Sequence, residues 1–264
     1  MKCHDSAIID EVRWFVILGL AAGCSNEAAV PDAAHYAGSG AIQLRSYTSE
    51  PGTGAGTSAV AEFIAREDCG TTQVGPCSIR SCAPDWLGLT VSAGDLTVDS
   101  TPAWSIPPGA PDQTRSVWYF ARSAQPAFGP GDGRTLRAGG YAVPAFSVPF
   151  VAPDVAVITS PPPTATLALG ASDFALTWTG GSGFVDVLFD FYSGNAVCRF
   201  DAALGMGTIP MAAFHPGPAS YFVIETSNEV KTTLTDWAIT TTASVDATWP
   251  DGTAAVGTAT VTLP

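Results

Sequence analysis

The sequence predicts an all-β protein arranged as two sandwich-like domains. Three observations carry that prediction. Short stretches alternate polar and apolar residues and end at Gly, Pro or Asp, the period of strands with one buried face. Gly (27) and Pro (21) are abundant while only 13% of residues are charged, poor material for exposed helices. Beyond Cys24 no window keeps a 3.6-residue period over three turns. A hydrophobic content of 46% over 264 residues is enough to build sizeable cores.

The expected elements follow in chain order. "AIQLRSYT" alternates Ile42 and Leu44 with Gln43 and Arg45. Gly-rich "EPGTGAGTSAV" (50–60) reads as a turn, because a phosphate loop would end in GK[ST]. "GLTVSAGDLTVDS" reads as two short strands around a hairpin-like turn at Ala93-Gly94. "SVWYFARS", "YAVPAFSVPFV" and "DVAVITS" follow, with Asp132-Gly133 in "GPGDGRTLRAGG" a second hairpin candidate. Three consecutive prolines at 161–163 cannot sit in a central strand. They mark a polyproline linker or the bend after an edge strand, and the domain boundary is drawn near residue 151. One domain then covers 41–150 and the other 151–264.

The second half continues with "ATLALG", "DFALTWTG", "GFVDVLFDFYSG", "NAVCRFDAAL", "SYFVIETS", "WAITTTASVDATW" and "TAAVGTATVTLP". That spacing suits an immunoglobulin-like or fibronectin-like sandwich, with Trp178 where such folds bury an aromatic. "GTIPMAAF" (207–214) is the one helical turn expected, with Pro210 near its start.

Cys69, Cys77, Cys82 and Cys198 form an even set, which in an exported protein suggests disulfides. In "CGTTQVGPC" the Gly75-Pro76 pair makes a turn, so a local Cys69–Cys77 or Cys69–Cys82 bridge is expected. The cysteine left over would meet Cys198 across the two halves; the alternative is that Cys198 is a buried free thiol. Their spacing is not C-x-x-C and no histidine is near, so no metal is expected.

The N-terminus carries the most specific signal. The uncharged run Trp14–Gly23 is about half the roughly 20 apolar residues of a spanning helix. It suits the apolar region of a signal peptide, although Asp5, Asp10 and Glu11 precede it where positive charge is usual. Leu20-Ala21-Ala22-Gly23-Cys24 resembles the lipobox of bacterial lipoproteins: small residues that enter a protease, then a thiol that accepts a diacylglyceryl group. The resemblance implies a signal peptide over 1–23, lipidation of Cys24 and a small-residue tether over 24–40. Several acyl chains, palmitate among them, then hold the protein to the membrane. Ser25, in place of Asp, implies sorting to the outer membrane. The series "LTWTGGSG…VCRFDAALGMGTIP" is similar to a segment of uncharacterised β-rich lipoproteins numerous in myxobacteria, and implies no activity.

Charge and motifs narrow the function. A net charge of −13 without a basic stripe excludes nucleic-acid binding. No cofactor motif occurs. Of the histidines beyond Cys24, His35 lies in the tether and His215 in a loop before Pro216, and "GGSGF" fails as a nucleophile elbow. Asp186 and Asp190 share one strand face and read as solvated. Asp132 and Asp251 supply oxygens at Asp-Gly turns but no calcium-loop series. Trp86, Trp104 and Trp249 sit beside turn residues and are candidate ligand-contact aromatics. The expectation is a lipid-anchored envelope protein, a non-catalytic binding or structural module with a protein or glycan ligand. The alternative is a carbohydrate-binding accessory or a hydrolase using an unrecognised carboxylate or tryptophan site.

Overall fold

A computed structural model describes residues 38–50, 54–66, 69–82, 89–109, 117–163, 166–169, 172–191, 194–214 and 217–261. Cys24, the signal and most of the tether therefore lie outside the described residues, as do Trp86, His35 and His215. The chain separates into Met1–Pro31 and the compact unit Asp32–Pro264, and only the latter holds described residues.

The first half runs through β1 (Gly38–Glu50), β2 (Gly54–Arg66), β3 (Cys69–Val74), β4 (Cys77–Cys82), β5 (Leu89–Thr90), β6 (Leu96–Val98), β7 (Trp104–Ile106), β8 (Tyr119–Ser123), β9 (Gly133–Ala138) and β10 (Phe146–Val151). The second continues through β11 (Ala156–Ser160), β12 (Thr166–Leu169), β13 (Phe174–Gly180), β14 (Phe184–Phe191), β15 (Gly194–Asp201), β16 (Met206–Ile209), β17 (Gly217–Leu234), β18 (Trp237–Asp246) and β19 (Val256–Val261). The fold is all-β, as the composition predicts. Among the described residues the helical content is two 3-10 turns, Ala202–Leu204 and Met211–Ala213. The second is the expected one, with Pro210 at its N-cap. β1 begins at Gly38, inside the stretch expected to be tether.

Two hydrophobic cores fill the molecule. The first lies between the β1–β2–β18 region and the sheet ordered β10-β9-β6-β7. Phe63 is at its centre, with ring centroids 5.7 Å from Tyr119, 6.1 Å from Phe146 and 6.5 Å from Trp237. β10 alternates buried and exposed along FSVPFV, and Pro149 is tolerated because β10 is a sheet edge. The second core lies between β11-β13-β16 and β15-β14-β17-β19, with β12 crossing to pair parallel with β19. This is the connectivity of an immunoglobulin-like sandwich. Trp178 is buried there, and its indole donates to Ala202 O at 2.8 Å.

The boundary expected near residue 151 separates the two cores only in part. β17 and β18 form a long hairpin that leaves the second core and carries Trp237, Ile239, Ala243 and Val245 into the first. β1 then docks parallel on β18. In return β4 pairs with β15, and Cys77 and Ile79 join the second core. One 12-stranded sheet therefore runs through both halves.

Two local expectations resolve differently, and a third is decided between its alternatives. β5 and β6 do not pair with each other, so Ala93-Gly94 is not a hairpin; β6 pairs with β7 and β9. The turn is held by the buried Tyr119 hydroxyl, which accepts from Ala93 N and donates to Gly94 O, both at 2.8 Å. Gly94 has φ +73, and a Cβ there would meet Gly140 O at 2.9 Å. Asp132-Gly133 leads into β9, and the Asp132 carboxylate accepts from Gly129 N and Arg134 Nη2, both at 2.9 Å. The triple proline follows β11, an edge strand, and so marks a bend.

Candidate functional site

The shared sheet has one face on the cores and another turned away from them. Along β1, Ile42 and Leu44 enter the first core while Gln43 and Arg45 point to the opposite face. That second face is concave. From β4 to β2 the order is β4-β15-β14-β17-β18-β1-β2, six steps that would span about 29 Å if flat. Yet Arg80 Nη1 on β4 lies 3.1 Å from Glu62 Oε1 on β2. The Arg80 row reaches β17 at Tyr221 and the Glu62 row reaches it at Lys231, ten residues further on. Such drift is the shear of a barrel. The sheet is an incomplete barrel that an ion pair bridges.

The inside of this curl is a polar trough enclosing about 220 Å³, lined by Gln43, Arg45, Ser58, Asp186, Arg199, Glu225, Thr242 and Ser244 together with Val60, Leu188, Val197 and Val223. Arg199, Asp186, Glu225 and Asp246 are successive register partners across β15, β14, β17 and β18. Arg199 grips Asp186 with both Nε and Nη2 at 2.8 Å, and its Nη1 lies 2.7 Å from Glu229 Oε2. Ser227 donates to the same Asp186 at 2.6 Å. The Arg199 guanidinium also lies over the Phe184 ring, 4.8 Å from its centroid. Arg45 bonds Asp246 through Nε at 2.9 Å and Nη2 at 2.8 Å, and stands 3.5 Å from Glu225 Oε2. Lys231 Nζ takes the other Glu229 oxygen at 3.0 Å. Basic residues are scarce, 11 against 24 acidic, yet two arginines line this one trough and a third, Arg80, makes the ion pair across the curl.

Burial sets the electrostatics. Glu225, 7% exposed, has its carboxyl pushed up to about 7, first by burial and further by Asp186 and Asp246, against the pull of Arg45. Both guanidiniums stay charged. The Asp186 hydrogen bonds raise Arg199; burial opposes charge on Arg45, but Asp246 and Glu225 outweigh it. Burial likewise opposes ionisation of Glu229, and the bonds from Arg199 and Lys231 overcome it, holding its carboxyl below the ordinary range. A wider groove of about 650 Å³ lies beside β9, β10 and β17, open to solvent and without such convergence of charge.

The residues singled out in the sequence scatter. Cys77 and Cys198 form a disulfide and face each other in the β4–β15 register. This rules out both a Cys69–Cys77 bridge and a free Cys198 thiol. Cys69 and Cys82 stand opposite each other across the β3–β4 hairpin, whose turn is Gly75-Pro76 as expected. Trp249 is 3% exposed, a member of the second core, and offers no face to a ligand. Trp104 is half-buried against the first core. Asp251 caps its own turn, accepting from Thr253 N and Oγ1 at 2.9 and 2.6 Å. The glycines of "GGSGF" are turn residues: a Cβ on Gly183 (φ +71) would collide with Ser227 O. Among the described residues no three of His, Cys, Asp and Glu stand close enough to hold a metal ion.

Asp186 departs most from expectation. It is 2% exposed inside the trough rather than on a solvated face; the Asp190 side chain lies outside the described residues. Arg45, Arg199, Glu225 and Asp246 were not singled out by the sequence. Their signal was a charge on the polar phase of otherwise apolar strands, in a chain with few charges. No protein-family model, curated protein or solved structure matches the chain.

Proposed function

We propose that this chain is an exported, lipid-anchored protein of a bacterial cell envelope whose body is a non-catalytic binding module. The observation that carries the binding reading is the trough, where ion pairs fix every guanidinium in place. Buried ion pairs add little net stability, since desolvation offsets most of their attraction. What they provide is a rigid, hydrogen-bonding wall whose order exists before any ligand arrives. Ser227 donates to Asp186 and is thereby held by a paired carboxylate rather than activated by a base.

Export is supported by the Cys77–Cys198 disulfide, since such bonds persist in oxidising compartments. The anchor rests on Leu20-Ala21-Ala22-Gly23-Cys24, which resembles a lipobox. Labelled palmitate fed to the expressing bacterium tests it. The native chain takes up label and fractionates with membranes, and Cys24→Ala loses both. Equal labelling of the two would overturn the anchor.

A second reading is favoured by one observation: Glu225, with its carboxyl pushed up to about 7, stands next to Asp186 in the register. A carboxylic acid beside a carboxylate is the pairing of glycoside hydrolysis. Cleavage of a disaccharide that Glu225→Gln abolishes would favour this hydrolase.

A further inference from the structure

We propose that the trough is a binding site for a neutral polyhydroxylated ring, a single sugar unit. This names the ligand class of the binding module inferred above and rests on that reading. Size is the first argument. At about 220 Å³ the trough is smaller than drug-sized pockets, which begin near ~300 Å³, so it holds one ring rather than an oligomer.

Charge is the second. The charges that line the trough balance, Asp186 and Glu225 against Arg45 and Arg199, so an anionic ring finds these cations already paired. A cationic ring fares no better. Both Asp186 oxygens accept from Arg199, and one also accepts from Ser227. Glu229 is taken by Arg199 and Lys231, and Glu225 by Arg45 and Ser244. Neither charge finds a counter-ion that a ligand can claim without breaking an internal pair.

Unused hydrogen-bonding capacity is the third. The Gln43 amide and the Ser58 and Thr242 hydroxyls line the trough, and none bonds another described group. Each both donates and accepts, as adjacent sugar hydroxyls do. Between them lie the aliphatic faces of Val60, Leu188, Val197 and Val223, suited to the C–H face of a ring. Phe120, 62% exposed, stands opposite Val60 in the β2–β8 register and extends this apolar strip to the rim. Aromatic faces stack on such C–H surfaces.

The full chain, solubilised in a sugar-free detergent, is titrated by calorimetry with glucose, galactose, mannose and N-acetylglucosamine. The uronate and amino-sugar counterparts of any ring that binds are then titrated in turn. A neutral ring is expected to bind, and its charged counterparts to bind at least about tenfold more weakly. Thr242→Val and Phe120→Ala are each expected to weaken binding about tenfold with circular dichroism unchanged; should Thr242→Val misfold, Ser58→Ala probes the same wall. No binding by any neutral sugar, tighter binding of a charged counterpart, or unchanged affinity in the wall variants would overturn the site. Binding accompanied by cleavage of a disaccharide supports the site and overturns the non-catalytic reading. Loss of palmitate labelling in Cys24→Ala is decided independently of all these outcomes.

Discussion

Glu225 sits between opposing influences: burial and two neighbouring carboxylates favour its neutral form, and Arg45 favours its charged form. The balance leaves its folded-state value at about 7, against 4.5 for the free side chain. Because the folded chain holds this proton more tightly, the associated stability is fully present below about pH 4.5. It is lost as pH rises through 7. Glu225→Gln mimics the protonated acid, so melting of the two proteins should coincide below about pH 4. Above pH 7 the variant should become the more stable, by at most about 3 kcal/mol; parallel melting curves across that range would contradict the assignment. Residues such as this were hidden in the sequence for a physical reason. Alternation separates a core face from another face, but does not say that the other face is folded inward. Asp186 therefore looked solvated, and Arg45 looked like an ordinary polar strand residue, until the curl of the sheet enclosed them.

The β3–β4 hairpin was legible, because its turn chemistry is local, whereas the Ala93-Gly94 and Asp132-Gly133 turns join no paired strands. Gly75 adopts φ +57 at the β3–β4 turn, which Gly75-Pro76 announced. The 3-10 turn after Pro210 was legible for the same reason, and Trp178 from its place in the sandwich pattern. Pairings between distant segments were not: nothing local in "CSIRSC" says that it joins β15, and Ala93-Gly94 mimics a hairpin that a distant tyrosine hydroxyl in fact holds. The Cys77–Cys198 bridge fastens that distant pairing across 121 residues of sequence. Closing so long a loop in the unfolded chain is worth up to about 5 kcal/mol. Cys77→Ser with Cys198→Ser should lower the melting temperature and speed hydrogen exchange in β3 and β4 more than in β9 and β10; uniform exchange would show that the bridge is not what seats the hairpin. Non-reducing peptide mapping should recover Cys77 linked to Cys198. It should also recover Cys69 linked to Cys82, since opposite residues of an antiparallel pair lie within disulfide reach.

Two sandwiches were readable from composition and period, but not the sheet that fuses them. The β17–β18 hairpin reads as two ordinary strands, yet its far end supplies Trp237 and Ile239, at 2% and 1% exposure, to a core built mainly from the other half. Burying side chains of that size contributes about 1.5–3 kcal/mol each, so the first core is incomplete without the second half. The trough inherits this dependence: Gln43, Arg45 and Ser58 come from one half, Asp186, Arg199 and Glu225 from the other. A site made this way exists only while both halves are folded together. Differential scanning calorimetry of the oxidised chain tests that claim most directly. A single transition is expected, with equal calorimetric and van't Hoff enthalpies; two resolved transitions, one half melting while the other stays folded, would contradict it.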